Sequence, residues 1–276
     1  MDLVRARVAL RERPLLDVLD LAVRFCVANA GSYARLSLVT IAPAFAASWA
    51  AARVGGWLLA WPVAIALAAL LDAPFVALAS RLVFDDEVRV RDVARAAVRI
   101  APRVAVARCV QGIALGMSLA LLGLPWLWLG SVMLFVPEVI ILEGAGLVGA
   151  WSRAAGVASA RFGVAMAAML LLSALVVGAA LLADVAGREF LDSVLEIRPP
   201  PSIFHEGGSV LALFGFWSVL PMRATTRFFV YLDVRTRSEG WDIQTRFAAL
   251  ARREADETAA RLDGPSTSPS PSRAGA

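Results

Sequence analysis

"CVQGIALGMSLALLGLPWLWLGSVMLFVPEVIIL", from Cys109 to Leu142, is the stretch whose reading decides how this chain is built. It holds 34 residues and a single charge, Glu138. As one helix at about 1.5 Å per residue it would be roughly 50 Å long, against a hydrocarbon core of about 30 Å. "GLPW", Gly123 to Trp126, lies in its middle, and Gly with Pro makes a tight turn there. The stretch is therefore predicted to be two membrane spans, with Trp126 and Trp128 at the level where interfacial aromatics belong.

Outward from that hairpin, apolar runs cover 36–53, 57–80, 162–186 and 209–230, each close to the roughly 20 residues that one span needs. Gly55 and Gly56 separate the first two, followed by Trp57 and Trp61. Six transmembrane helices result. The whole chain has 276 residues, of which 59% are hydrophobic. Its mean hydropathy is +0.70. Globular proteins carry only about 45–50% apolar residues, so a bilayer is the expected solvent.

Charge placement gives an independent reading of topology, because short cytoplasmic loops collect arginine. With the N-terminus inside, residues 1–35, 81–108, 143–161 and 223 onward hold 24 of the 27 arginines, leaving only Arg53, Arg188 and Arg198 outside. Five spans would instead put the nine C-terminal arginines on the outer side. The pI near 10 thus reflects orientation signals and not a nucleic-acid partner. No lysine occurs, and alanine, valine, leucine and glycine dominate. That bias is read as high-GC bacterial coding, which places the protein in the bacterial cytoplasmic (inner) membrane with both termini in the cytoplasm. A secretory signal is not expected, since the first 35 residues carry six arginines and no long apolar run.

The organisation that follows is a cytoplasmic segment at 1–35, a six-helix membrane domain at 36–230, a cytoplasmic helix at 231–262 and a disordered Ser/Pro/Gly-rich tail at 263–276. Within the first segment, Pro14 suits a first helical turn. Leu15, Leu19, Ala22, Val23 and Cys26 recur at helical spacing, with Asp17, Asp20 and Arg24 opposite, which predicts an amphipathic helix at the inner surface. "DVLDLAVRF" from Asp17 and "DVARAAVRI" from Asp92 share five residues in register, 75 apart, and Gly144–Arg161 occupies the equivalent place before the fifth span. Three units, each an inner helix followed by a membrane hairpin, are the simplest organisation.

Ionisable groups inside spans cost about 2.5–3.5 kcal/mol each at the bilayer centre, which singles out Asp72 and Glu138. Asp72 lies nine residues before Arg81, roughly 13 Å above the inner boundary. Arg223 and Arg227 fall at depths where they can pair with the two carboxylates. Such a layer is either a polar pocket for an ion, proton or lipid head group, or an internal ion pair that fixes packing. Two carboxylates and two arginines neutralise each other, so packing is the simpler of the two. Asp184 and Glu189 sit at the outer boundary and need no special account. "GIALG", Gly112 to Gly116, has the spacing of a close helix contact.

The motif Tyr231, Asp233, Arg235, Arg237, Glu239, Gly240, Asp242 follows the last span. It reads as a helix exit in which Arg235 and Arg237 meet phosphate head groups, Gly240 breaks the helix and Asp242 caps the next. Alternatively its charges bind the inner helices or a partner protein. Together with "RPLLDVLDLAVRFCVANAG" from Arg13 and "VPEVIILEGAGLVGAWSRAAGVASARFG" from Val136, this motif resembles the membrane domain found attached to glycerophosphoryl diester phosphodiesterases and its stand-alone bacterial relatives. The resemblance spans roughly 13–247. It departs at Trp241, where Phe is usual, and at Gln244, where an acidic residue is common. No phosphodiesterase domain is present in these residues, so the resemblance implies a membrane fold and no catalytic residue.

Cys26, Cys109 and His205 are too scattered for a zinc site or disulfide framework, and no nucleophile elbow or phosphate-binding glycine loop occurs. No catalytic residue, cofactor or metal is assigned. The expected partners are the lipid bilayer, its anionic head groups and a membrane or envelope protein. The leading expectation is a non-catalytic scaffold or envelope-associated module. The alternative is a transporter or lipid-handling protein using the Asp72, Glu138, Arg223 and Arg227 layer. Discontinuous helices around a cavity would favour the latter, and Pro74, Pro137 and Pro221 beside those charges are its only hint.

Overall fold

The computed structural model describes residues 14–84, 88–120 and 124–238, all helix and connecting turns with no strand among them. The 263–276 tail, most of the predicted 231–262 helix, and Glu239, Gly240 and Asp242 lie outside the described residues. Among those described, four helices are long and apolar enough to cross a membrane: Ala30–Phe84, Val90–Ser118, Trp126–Glu143 and Phe162–Ser193.

The predicted amphipathic helix is α1 (Leu15–Ala28). Its packed face centres on Val18 and Ala22. Val23, expected on that face, is exposed, because the helix leans on its Phe25 side. Phe25 meets Phe229 edge-on at 5.2 Å. The packed stripe is thus rotated by the neighbour it meets, a choice that spacing alone leaves open.

α2 (Ala30–Phe84) is two arms joined at Gly55 and Gly56. Gly56 has φ of +71°, a left-handed conformation that glycine adopts without the Cβ clash of other residues. The arms fold back on each other, for the ring of Tyr33 stacks on that of Phe75 with centroids 6.4 Å apart. α3 (Val90–Ala120) runs without interruption from the segment predicted as a second surface helix into the apolar stretch.

The deciding stretch also doubles back. α4 (Leu124–Val132) follows α3 after residues 121–123, and Gln111 Nε2 donates to the carbonyl of Met133 at 3.3 Å, which requires the two to run antiparallel. Gly123 lies outside the described residues, whereas Pro125 and Trp126, predicted in the turn, already belong to α4. Met133–Phe135 then interrupt the helix before α5 (Val136–Glu143), which Gly144 ends in the left-handed region.

α6 (Leu147–Ala160), α7 (Phe162–Ser193), the single turn α8 (Ile203–Glu206), α9 (Val210–Ser218) and α10 (Leu220–Ser238) complete the molecule. The last apolar run is not one of the four long apolar helices. Val219 divides it, and α10 carries Arg223, Arg227, Asp233, Arg235 and Arg237. α9 lies tightly on α7, where a Cβ on Gly215 would sit 2.3 Å from the carbonyl oxygen of Ala179. By contrast a Cβ on Gly112 or Gly116 would meet nothing within 4 Å, so the "GIALG" spacing makes no close helix contact here. The largest fully buried side chains, among them Trp217, Arg227, Tyr231, Phe75 and Phe135, centre on α10.

Candidate ligand-binding site

Three prolines stand next to the charged residues of the core. Pro74 follows Asp72 within the second arm of α2, Pro137 precedes Glu138 in the first turn of α5, and Pro221 precedes Arg223 in the first turn of α10. Proline lacks the N–H that would continue the helical ladder, so it suits the first turn of a helix and breaks a longer one. Two of the three sites are helix starts, after the Met133–Phe135 turn and after Val219. These starts carry Glu138 and Arg223 into the centre of the bundle, where Asp72 waits on α2.

All four residues expected in a buried layer meet there. Arg227 Nη1 donates to Asp72 Oδ2 at 2.7 Å, and Arg227 Nε to Glu138 Oε1 at 2.5 Å. Arg223 Nη1 reaches both Asp72 oxygens, at 3.1 and 3.3 Å. Asp72 and Glu138 are fully buried, and the Arg227 side chain is 1% exposed. Charge-assisted bonds of this kind are the strong ones, and removing one partner strands the rest.

A fifth member was missed in the sequence. Arg108 Nη2 donates to Asp72 Oδ2 at 3.0 Å while its Nη1 donates to Gln111 Oε1 at 2.9 Å. Arg108 reads as the last arginine of a cytoplasmic loop. It stands directly before Cys109, where the apolar stretch begins, and that adjacency was the available signal. Its presence changes the electrostatics: three guanidiniums, which stay charged in proteins, surround two carboxylates. The balance expected of a packing ion pair becomes a surplus of positive charge. Arg108 Nε and Arg227 Nη2 are buried without a hydrogen-bond partner among the described residues.

The surplus faces a cleft of about 620 Å³, within the roughly 300–1,000 Å³ usual for small-molecule sites. Arg108, Arg223, Arg227 and Gln111 line one end, and Trp61, Ile203 and Phe216 the other. Between them the walls are apolar side chains of α2, α4 and α7, with Ser173 as an exception.

Two further polar clusters flank the layer. Tyr231 Oη donates to Glu143 Oε1 at 2.5 Å, and Arg235 and Arg153 approach Glu143 at 3.2 and 3.3 Å. Arg237 pairs with Asp233 at 3.0 Å. Arg235 and Arg237 are mostly buried in these contacts and do not extend from a helix exit toward head groups, because carboxylates of α5 and α10 lie within their reach. The Tyr231 motif and the Val136 motif are thereby joined. Asp184 is also corrected: it is fully buried on α7 and accepts from Ser202 Oγ at 3.0 Å, Ile203 N at 3.2 Å and Ser209 Oγ. That clasp holds the α7–α9 connection against the cleft end marked by Trp61, whose Nε1 donates to the carbonyl of Gly207 at 2.8 Å. His205 is exposed on α8. Cys26 and Cys109 are free thiols. Among the described residues no three His, Cys, Asp or Glu side chains are grouped as metal ligands.

No family model matches this chain, and no curated protein or solved structure matches it.

Proposed function

We propose that this is a six-span protein of the bacterial cytoplasmic membrane, with both termini in the cytoplasm, and that its core binds an amphiphile with an anionic head group. The fold-back of α2 at Gly55–Gly56, with the arginine-bearing α9–α10 pair read as a further crossing, supports a count of six from the four long apolar helices. Three helix-plus-hairpin units follow, led by α1, by the first turns of α3 and by α6. Arginine bias places the Tyr231 end of α10 inside.

The observation that carries the functional reading is the third arginine. A scaffold needs only balanced charges in its core, and Asp72 and Glu138 with two arginines would supply them. Arg108 makes the set net positive, and a buried uncompensated charge is costly unless something else pairs with it. Broken helices whose ends point into a cleft are also how membrane transporters build solute sites. Lipid handling or transport is therefore preferred over a purely structural module.

Native mass spectrometry on protein extracted in mild detergent tests this reading. The wild type is expected to retain one anionic amphiphile per chain, and Arg223→Gln to lose it while remaining folded. An empty wild type, together with variants that differ only in stability, would return the layer to a packing role. Thiol labelling of single cysteines placed near residues 14 and 55 from each side of sealed vesicles checks the topology.

A further inference from the structure

The cleft is much longer than a head group needs, and its shape limits the rest of the ligand. From Met169 to Leu181 the α7 wall advances twelve residues, which is roughly 18 Å of helix. Over that length every charged side chain of the wall stands at one end. Beneath the arginines the base is sealed, since Asp72, Glu138 and Arg227 are all 0–1% exposed. The charge of the head group is set, because three guanidiniums against two carboxylates leave a deficit of one negative charge. At the far end stands Trp61, whose Nε1 donates to the carbonyl of Gly207.

Resting on the binding-site reading above, we propose that the ligand is a single-chain amphiphile with a monoanionic carboxylate, its head on Arg108 and Arg223 and its tail along the cleft toward Trp61. A guanidinium fork matches a carboxylate in plane and charge. An extended chain of about a dozen methylenes spans most of the roughly 18 Å available, taking about 1.5 Å per C–C bond less its zigzag. Gly112 lines the passage with open space before its Cα, so a side chain added there enters the cleft and not a neighbouring helix.

The test is calorimetric titration of the full-length protein in neutral detergent with tetradecanoate, hexanoate, tetradecanol and lysophosphatidylglycerol. Saturable 1:1 binding of tetradecanoate is expected, weaker by roughly ten-thousandfold or more for hexanoate, which lacks eight methylenes. Tetradecanol, with no charge to offer, should bind at least roughly tenfold more weakly. Gly112→Phe and, independently, Val177→Trp should each weaken tetradecanoate by roughly tenfold or more by filling the tail path. Equal binding of tetradecanol, or unchanged affinity in both filled-cleft variants, overturns the proposal. Binding of lysophosphatidylglycerol without tetradecanoate overturns the carboxylate assignment and leaves the anionic site intact. Failure of every anionic amphiphile removes both.

Discussion

Two fully buried aspartates in this molecule are accommodated in opposite ways. Asp72 accepts from Arg108, Arg223 and Arg227, whereas Asp184 accepts from Ser202, Ser209 and the Ile203 amide, with no arginine bond among the described residues. Hydroxyls and amides satisfy a carboxylate oxygen by oxygen. That is enough to clasp a loop to a helix, and it brings no positive charge to the site. Arginines bring more charge than one carboxylate uses. A clasp is finished by its own donors, while an overcharged layer has capacity left for a ligand.

The largest expected effect separates the two directly. Asp72→Asn should cost about 3–5 kcal/mol of stability, because it leaves three arginines around one carboxylate. Adding Arg108→Gln to it should recover part of that loss, since the two residues are in contact and their effects couple. Reversible unfolding in mixed micelles measures both. If Asp72→Asn costs no more than Asp184→Asn, the contrast drawn between them is wrong.

Asp184→Asn should be milder, about 1–3 kcal/mol, the cost of leaving buried donors poorly paired. Its mark should be local, with faster hydrogen exchange over residues 202–209 and little change in α10. Ser209→Ala should be smaller still, about 1 kcal/mol, because Ser209 caps α9 through the Ala212 amide as well as holding Asp184. Unfolding in the same micelles reads it. Exchange that rises in α10 instead would mean that the clasp and the layer are one unit.

Much of the fold could be read along the chain. The length of Cys109–Leu142 forces a turn, and Gln111 does lie against Met133. Gly55–Gly56 marks the fold-back of α2, where a left-handed residue is required. The buried layer was legible because charges are expensive in apolar runs, so Asp72, Glu138, Arg223 and Arg227 stand out by position alone. Arg108 did not, since an arginine at the edge of a run reads equally well as a loop residue. Arg235 and Arg237 were open to two readings, head groups or the inner helices, for a related reason. Arg237 meets Asp233 four residues away, but the Glu143 that Arg235 meets is 92 residues off, and nothing local marks it as a partner. The α1 stripe was found, but its rotation toward Phe25 depends on Phe229.

By itself the sequence determined that this chain is helical, apolar enough for a membrane, folded back at its glycines and forced to bury a few charges. Those properties follow from composition, length and spacing, which act within one or two helical turns. Tertiary structure alone decided that Arg108 joins Asp72 from 36 residues away and Arg227 from 155. It also decided that α2, α3, α7 and α10 part to leave a cleft beside them. Charge balance and cavity shape are sums over neighbours in space, and packing is what chooses those neighbours.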